Sequence, residues 1–106
     1  MTKIHDSHFA ERVRASFAKQ NAMSLIQASM PVIEHGMTEI HLPHWTGVEQ
    51  QHGFVHGGVV GMIADSAAGY AAMTMVLATD SVLTVEYKMN LVAPADGEKL
   101  IARGKV

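Results

Sequence analysis

The sequence predicts an α+β domain in which an antiparallel sheet covers one long, very apolar helix. Three observations carry that expectation. From Gly57 to Ala78 the chain is almost wholly apolar, interrupted mainly by Asp65, Ser66 and Thr74. From Leu83 to Leu91 apolar and polar residues alternate, the period of a strand with two different faces. Two extended segments flank His35-Gly36, a turn signal. These strands exceed what one helix needs for cover, which places the chain in the α+β class. Its 106 residues read as one domain, 1–106, of a size that oligomerisation often helps to stabilise.

In chain order, the first element expected is an amphipathic helix over Ser7–Gln20. Phe9, Val13 and Phe17 recur on one side, and Glu11, Arg12, Arg14 and Lys19 take the others. Ser7 is the candidate N-cap, and Asn21 the candidate end. Leu25–Glu34 reads as extended, with Pro31 marking an edge position because it has no N–H to donate. Met37–His41 alternates, with Ile40 and Leu42 on one face and Glu39 and His41 on the other, and Pro43 closes this strand. A polar loop, His44–Val55, leads into the apolar helix, expected from Gly57 or Gly58 to about Leu77. Its Gly58, Gly61 and Gly69 are expected to permit close backbone approach. Ser81–Val92 is the clearest strand, with Leu83, Val85, Tyr87, Met89 and Leu91 on one face and Thr84, Glu86, Lys88 and Asn90 on the other. Pro94-Ala95-Asp96-Gly97 is a turn, and a further strand begins at Glu98.

Composition narrows the function classes. With 48% hydrophobic and 17% charged residues, the chain is that of a folded domain. A formal net charge of −2 and the lack of any basic run argue against nucleic acid. The absence of cysteine removes disulfides, thiolate metal ligands and cysteine nucleophiles. Met1–Glu11 carries no apolar core of a signal peptide, so a cytoplasmic location is expected. The apolar run is long enough to span a bilayer. Asp65 lies well inside it, however, at a cost of about 2.5–3.5 kcal/mol for a charge at mid-membrane, and no Lys or Arg flanks it. Burial within a protein, not a membrane, is the expectation.

The chemistry concentrates in Gln50 to Asp65. A Gly pair at a helix start presents N–H groups that the helix leaves unpaired, suited to an anion or to the oxyanion of acyl transfer. Asp65 follows two turns later among apolar residues. A carboxylate there is costly unless it is paired or wetted for a purpose, and it can act as general base or as nucleophile. A capping or bridging Asp is the commoner case for such a residue. The amide of Gln50 and the ring of His56 just upstream shift the balance toward function.

His56-Gly57-Gly58, six residues, Asp65, then Ala67-x-Gly69-x-Ala71 resembles the signature of PaaI-like hotdog acyl-CoA thioesterases of the thioesterase superfamily. Leu83 to Ala95 resembles the strand that follows the helix in that family. The resemblance runs from about Leu25 to Val106. It implies a hotdog fold, a curved antiparallel sheet wrapped around the helix Gly58–Leu77. It also implies a homodimer or homotetramer with acyl-CoA bound at the dimer interface. Coenzyme A enters as part of the substrate, and no separate cofactor is implied. By the same resemblance Gly57 donates its N–H to the thioester carbonyl, helped by His56. Gln50 stands where the family usually has Asn, Asp65 drives hydrolysis, and Thr84 holds the attacking water. Gly58, Phe54, Lys88 and Asn90 are the substrate-binding candidates, with Phe54, Val59, Met62 and Tyr87 as possible walls of an acyl pocket. Core packing is the commoner role for the last four, and solvation for Lys88 and Asn90. The family continues for two strands past the point matching Val106, so the sheet is expected to be incomplete within this sequence.

Three other readings fit parts of the pattern. Gln50 in place of Asn favours a non-catalytic acyl-CoA-binding hotdog module. A His with an acidic residue also suits a hotdog hydratase or dehydratase, although the spacing matches the thioesterases better. His41-x-x-His44 and His52-x-x-x-His56 have the spacing of metal ligands. Pro43 and Gly53 interrupt these segments, which favours loop and surface histidines.

Overall fold

A β-hairpin organises the domain. The computed structural model describes residues 3–106, so Met1 and Thr2 of the N-terminal stretch lie outside it. Strand β1 (Ser29–Glu34) pairs antiparallel with β2 (Met37–Pro43) through the turn at His35-Gly36. Gly36 adopts φ +82°, a left-handed conformation in which a Cβ is strained. The pairing slips between Ser29 and Val32, the stretch that contains Pro31. β1 is an edge strand, as a proline without an N–H requires. On the far side β2 pairs with β3 (Lys99–Lys105), from Met37↔Lys105 to Pro43↔Lys99. The sheet order is β1-β2-β3.

One face of this sheet is fully buried at its centre. Thr38, Ile40 and Leu42 alternate inward and are each 0% exposed. Leu100 and Ala102 of β3 join them. Onto this face packs α3 (Gly57–Met73), which buries Ile63, Ala67, Tyr70 and Ala71. The contact is closest at mid-helix. Thr38 Oγ1 donates to the Ala67 carbonyl at 2.8 Å, and a Cβ on Gly104 would overlap that same carbonyl. Gly104, rather than a helix glycine, allows the closest approach. Of the glycines expected to do so, Gly61 meets Met89 and Tyr87 side chains, Gly58 meets only the ring of His56, and Gly69 faces open space.

The N-terminal helix is shorter than its periodicity suggests. α1 covers Phe9–Ala18 and buries Val13. Ser7 does not cap it. Asp6 does the equivalent work one residue earlier, accepting from the His8 N–H at 2.9 Å and from Arg12 Nε at 2.8 Å. Asn21 is the first residue of a second short helix, α2 (Asn21–Leu25), whose Met23 enters the core. Gln27, at φ +65°, turns the chain into β1.

α3 ends at Met73, four residues before the expected Leu77. Thr74 Oγ1 donates to the Ala71 carbonyl and accepts from the Gly36 N–H, both at 2.7 Å. Arg12 Nη2 reaches the carbonyls of Met73 and Val76 at 2.8 and 3.2 Å. Carbonyls that further helix would have satisfied are thus taken by α1.

Ser81–Val92 is not a strand here. It runs back along α3, with Thr84 at Asp65, Tyr87 and Met89 at Gly61, and Leu91 at Gly57. None of its backbone groups pairs with the sheet. Alternation encodes two faces, but a strand also needs a hydrogen-bonded neighbour. Among the described residues no strand pairs with this segment. The faces also differ from expectation. Thr84 meets the helix together with Tyr87, Met89 and Leu91, while Leu83 and Val85 are 86% and 93% exposed. The parity therefore switches between Thr84 and Tyr87. Among the described residues, no helix is long and apolar enough to cross a membrane.

Candidate active site

The first turn of α3 has four N–H groups without helical partners or at the helix limit. Val59 and Val60 donate to the His56 carbonyl at 2.9 and 3.1 Å. Gly58 donates to His56 Nδ1 at 2.8 Å, so His56 is the N-cap of the helix. That leaves the Gly57 N–H, which has no hydrogen-bond partner among the described residues. It sits at the positive end of the helix dipole, where a developing negative charge is stabilised. Acting as acceptor at Nδ1, His56 carries its proton on Nε2.

The loop before the helix is buckled on itself. Glu49 bridges Val55, and the Gln50 N–H donates to the Phe54 carbonyl at 2.8 Å. Gln50 Oε1 accepts from the N–H groups of His52 and Phe54. The amide oxygen thus holds the loop, and the Nε2 end of Gln50 is left to donate. Gln50, Phe54, Gly57 and Asn90 line one cavity of about 670 Å³, together with Leu91 and Pro94.

Asp65 belongs to a second cleft, of about 330 Å³. Thr84 Oγ1 donates to Asp65 Oδ1 at 2.7 Å. The surroundings are more polar than the sequence suggests. Ser66 Oγ donates to Gln20 Oε1 at 3.2 Å, Gln20 Nε2 donates to the Tyr70 hydroxyl at 3.0 Å, and Ser16 Oγ lies 3.2 Å from that hydroxyl. Ser16, Gln20, Ser66 and Tyr70 line the Asp65 cleft and were not among the residues marked by the sequence. Ser16 and Gln20 fall within the expected Ser7–Gln20 helix without an assigned face, and Tyr70 lies in the apolar run.

The structure thus brings Asp65 together with Thr84, and Gln50 with Phe54, Gly57 and Asn90, but keeps the two groups apart. Eight residues of α-helix separate Gly57 from Asp65, about 12 Å along the axis and about 80° around it. One carbonyl cannot touch both within one chain. Gly58 has its N–H engaged by His56, and Lys88 is exposed and lines neither cavity. Val59 and Met62 pack against the core instead of lining either space, and Tyr87 is 59% exposed. The histidine pairs do not converge. His41 bonds Glu39 at 3.0 Å, and His44 bonds Glu49 at 2.9 Å. Among the described residues no three His, Asp or Glu side chains are grouped to hold a metal ion.

Residues 52–106 match the family model of the thioesterase superfamily. A thioesterase family protein from Silicibacter pomeroyi superposes with a TM-score of 0.87 at 41% identity, over 90% of this chain and 70% of that one. A thioesterase from Haemophilus influenzae gives 0.80 at 19% identity, over 96% and 71% of the two chains. The PaaI protein of the E. coli phenylacetic acid degradation operon gives 0.79 at 18% identity, over 92% and 70%. No curated protein sequence matches the chain. The helix on a curved antiparallel sheet is the hotdog fold, and the chain belongs to the thioesterase superfamily.

Proposed function

We propose that this protein hydrolyses acyl-CoA thioesters to a free acid and coenzyme A, at a site completed by two copies of the chain. The observation that carries the reading is the single unpaired first-turn N–H, at Gly57, on the same helix as a carboxylate held by a hydroxyl, Asp65 with Thr84. Acyl transfer needs a donor aimed at the carbonyl oxygen and a base or nucleophile near the carbonyl carbon. The 12 Å spacing supplies both only if a second copy presents its Asp65 to the first copy's Gly57. A homodimer, or a tetramer of two such pairs, meets that need.

The steps follow from the donors and acceptors present. The thioester oxygen accepts from the Gly57 N–H, and Gln50, which lines the same cavity and has its Oε1 engaged, offers its Nε2 as a second donor. His56 fixes the helix start and so the direction of that N–H. Asp65 either takes a proton from water as the water attacks the carbonyl carbon, or attacks that carbon itself to give an anhydride that water then opens. Thr84 donates its proton to Asp65, so its lone pairs are left to accept from the water and orient it. On the first route the adduct then collapses, the C–S bond breaks, coenzyme A leaves as the thiolate and Asp65 gives its proton to the products. On the second the C–S bond breaks and the thiolate leaves as the anhydride forms, before water opens it. Asn90 and Phe54 face the Gly57 cavity and are placed to contact the bound thioester. Coenzyme A is part of the substrate, and the scheme needs no other cofactor.

Release of free CoA from a panel of acyl-CoA esters tests the proposal, with Asp65→Asn measured beside the parent. Loss of about a hundredfold or more in kcat/KM with the fold retained supports it. A second reading draws on Gln50, whose amide oxygen is already engaged by its own loop. A hotdog module that binds acyl-CoA without cleaving it would retain the esters intact in the same assay.

A further inference from the structure

His44 follows the last residue of β2, and its ring is tied to two separate segments, the 49–54 loop and the 94–97 turn. Its Nδ1 lies 2.9 Å from the Gly97 carbonyl. Its Nε2 lies 2.9 Å from Glu49 Oε2 and 3.0 Å from the Gly53 carbonyl. A carbonyl oxygen cannot donate, so each ring nitrogen must. A neutral imidazole has one N–H, and only the imidazolium satisfies both sides. The charged groups that face the ring agree with this. Glu49 comes from the loop after the 3₁₀ turn at Thr46–Val48, and Asp96 Oδ1 stands 4.0 Å away in the 94–97 turn. From the strand side, the His44 backbone N–H takes the Glu98 carbonyl. Among the described residues no cation pairs with any of these groups.

What the ring holds together is one wall of the Gly57 cavity. Gly53 and Glu49 belong to the buckled loop that carries Gln50 and Phe54, and Gly97 ends the turn that carries Pro94 and Ala95. The two are also joined by the Val55 N–H to the Ala95 carbonyl at 3.0 Å.

We infer that His44, as an imidazolium, is a positioning residue that clamps the Gln50–Phe54 loop to the 94–97 turn and shapes the Gly57 cavity, and that its deprotonation releases the loop. Burial opposes the charge, but the carbonyls of Gly97 and Gly53 and the Glu49 carboxylate outweigh it and raise the imidazole above its ordinary 6.5. A raised folded value means that the clamp is fully present below 6.5 and is lost as pH rises through the folded value.

The test is nuclear magnetic resonance of the full chain across pH. It records the His44 ring nitrogens and the exchange of the amides of Gln50, Gly53 and Val55, with His44→Gln and His44→Arg alongside. The expected result is a doubly protonated ring at neutral pH, with loop protection falling about tenfold or more as that ring titrates above 6.5. His44→Gln shows low protection at every pH, and His44→Arg, a permanent cation, keeps it at higher pH. A ring that titrates below 6.5, or loop exchange indifferent to its state, overturns the inference even if only the parent folds. The catalytic consequence rests on the thioesterase reading: KM for an acyl-CoA rises along the same titration and kcat follows less. Absence of any turnover would count against that reading alone, because the ring and the amides report the clamp directly.

Discussion

Gly57 and Asp65 stand on one helix, eight residues apart, and open into different cavities. The helix fixes this separation, and no side-chain rotation closes about 12 Å. A site that uses both must take them from different chains.

The role of the Gly57 N–H can be isolated without disturbing the helix. His56 has φ −58° and ψ 134°, a conformation that a following proline favours, and N1 is the helix position where proline is best tolerated. Only the flexible end of Leu91 crowds a side chain there. Gly57→Pro is therefore expected to fold and to lose about a hundredfold to a thousandfold in kcat. Gly57→Ala, which keeps the N–H, is expected to stay within about tenfold of the parent. Steady-state kinetics with circular dichroism as a fold check compares them.

Thr84 donates to Asp65, and in the proposed mechanism it also orients the attacking water. Thr84→Val removes the hydroxyl at constant shape and is expected to lower kcat about tenfold to a hundredfold with KM little changed, whereas Thr84→Ser retains most of the rate. Equal losses in both variants would assign Thr84 to packing instead.

The mid-helix contact gives a stability prediction independent of function. Thr38→Val removes the bond to the Ala67 carbonyl in a fully buried position and is expected to cost about 1 kcal/mol. Gly104→Ala drives a Cβ into that carbonyl and is expected to cost about 1–3 kcal/mol. Chemical denaturation of each variant reads both.

Acid sensitivity has a defined source on the outer sheet face. The Glu39 carboxyl is held below its ordinary 4.5 by the hydrogen bond from His41 and then by that from Arg103, at 3.0 and 2.7 Å. A depressed folded value means that the stabilisation is present above 4.5 and is lost as pH falls through the folded value. The melting temperature of the parent is expected to fall more steeply over that range than that of Glu39→Gln.

Local rules made the hairpin and the start of α3 legible. His35-Gly36 with alternation after it, and a Gly pair before an apolar run, each specify their element within a few residues. The end of α3 was not legible because Thr74 is pinned by the Gly36 N–H, 38 residues away in sequence. Ser81–Val92 shows the opposite limit. Its alternation described two faces, but pairing depends on a neighbour that the pattern does not encode. In the site, Gln50, Gly57, Asp65 and Thr84 were marked by motif and resemblance, and the structure adds which of them meet. Ser16 of α1 and Gln20, just before α2, reach the Asp65 cleft and the Tyr70 hydroxyl of α3 only through tertiary packing, which no short-range spacing announces.

The most direct test of a shared site is complementation. Gly57→Pro and Asp65→Asn chains are each expected to be inactive alone. Co-expressed in equal amounts, they form mixed dimers in which one of the two sites has both residues intact, giving about a quarter of parental acyl-CoA hydrolysis if chains pair at random in a two-fold dimer. Recovery near that level supports a site built across two copies. No recovery, with mixed dimers demonstrably present, would contradict it.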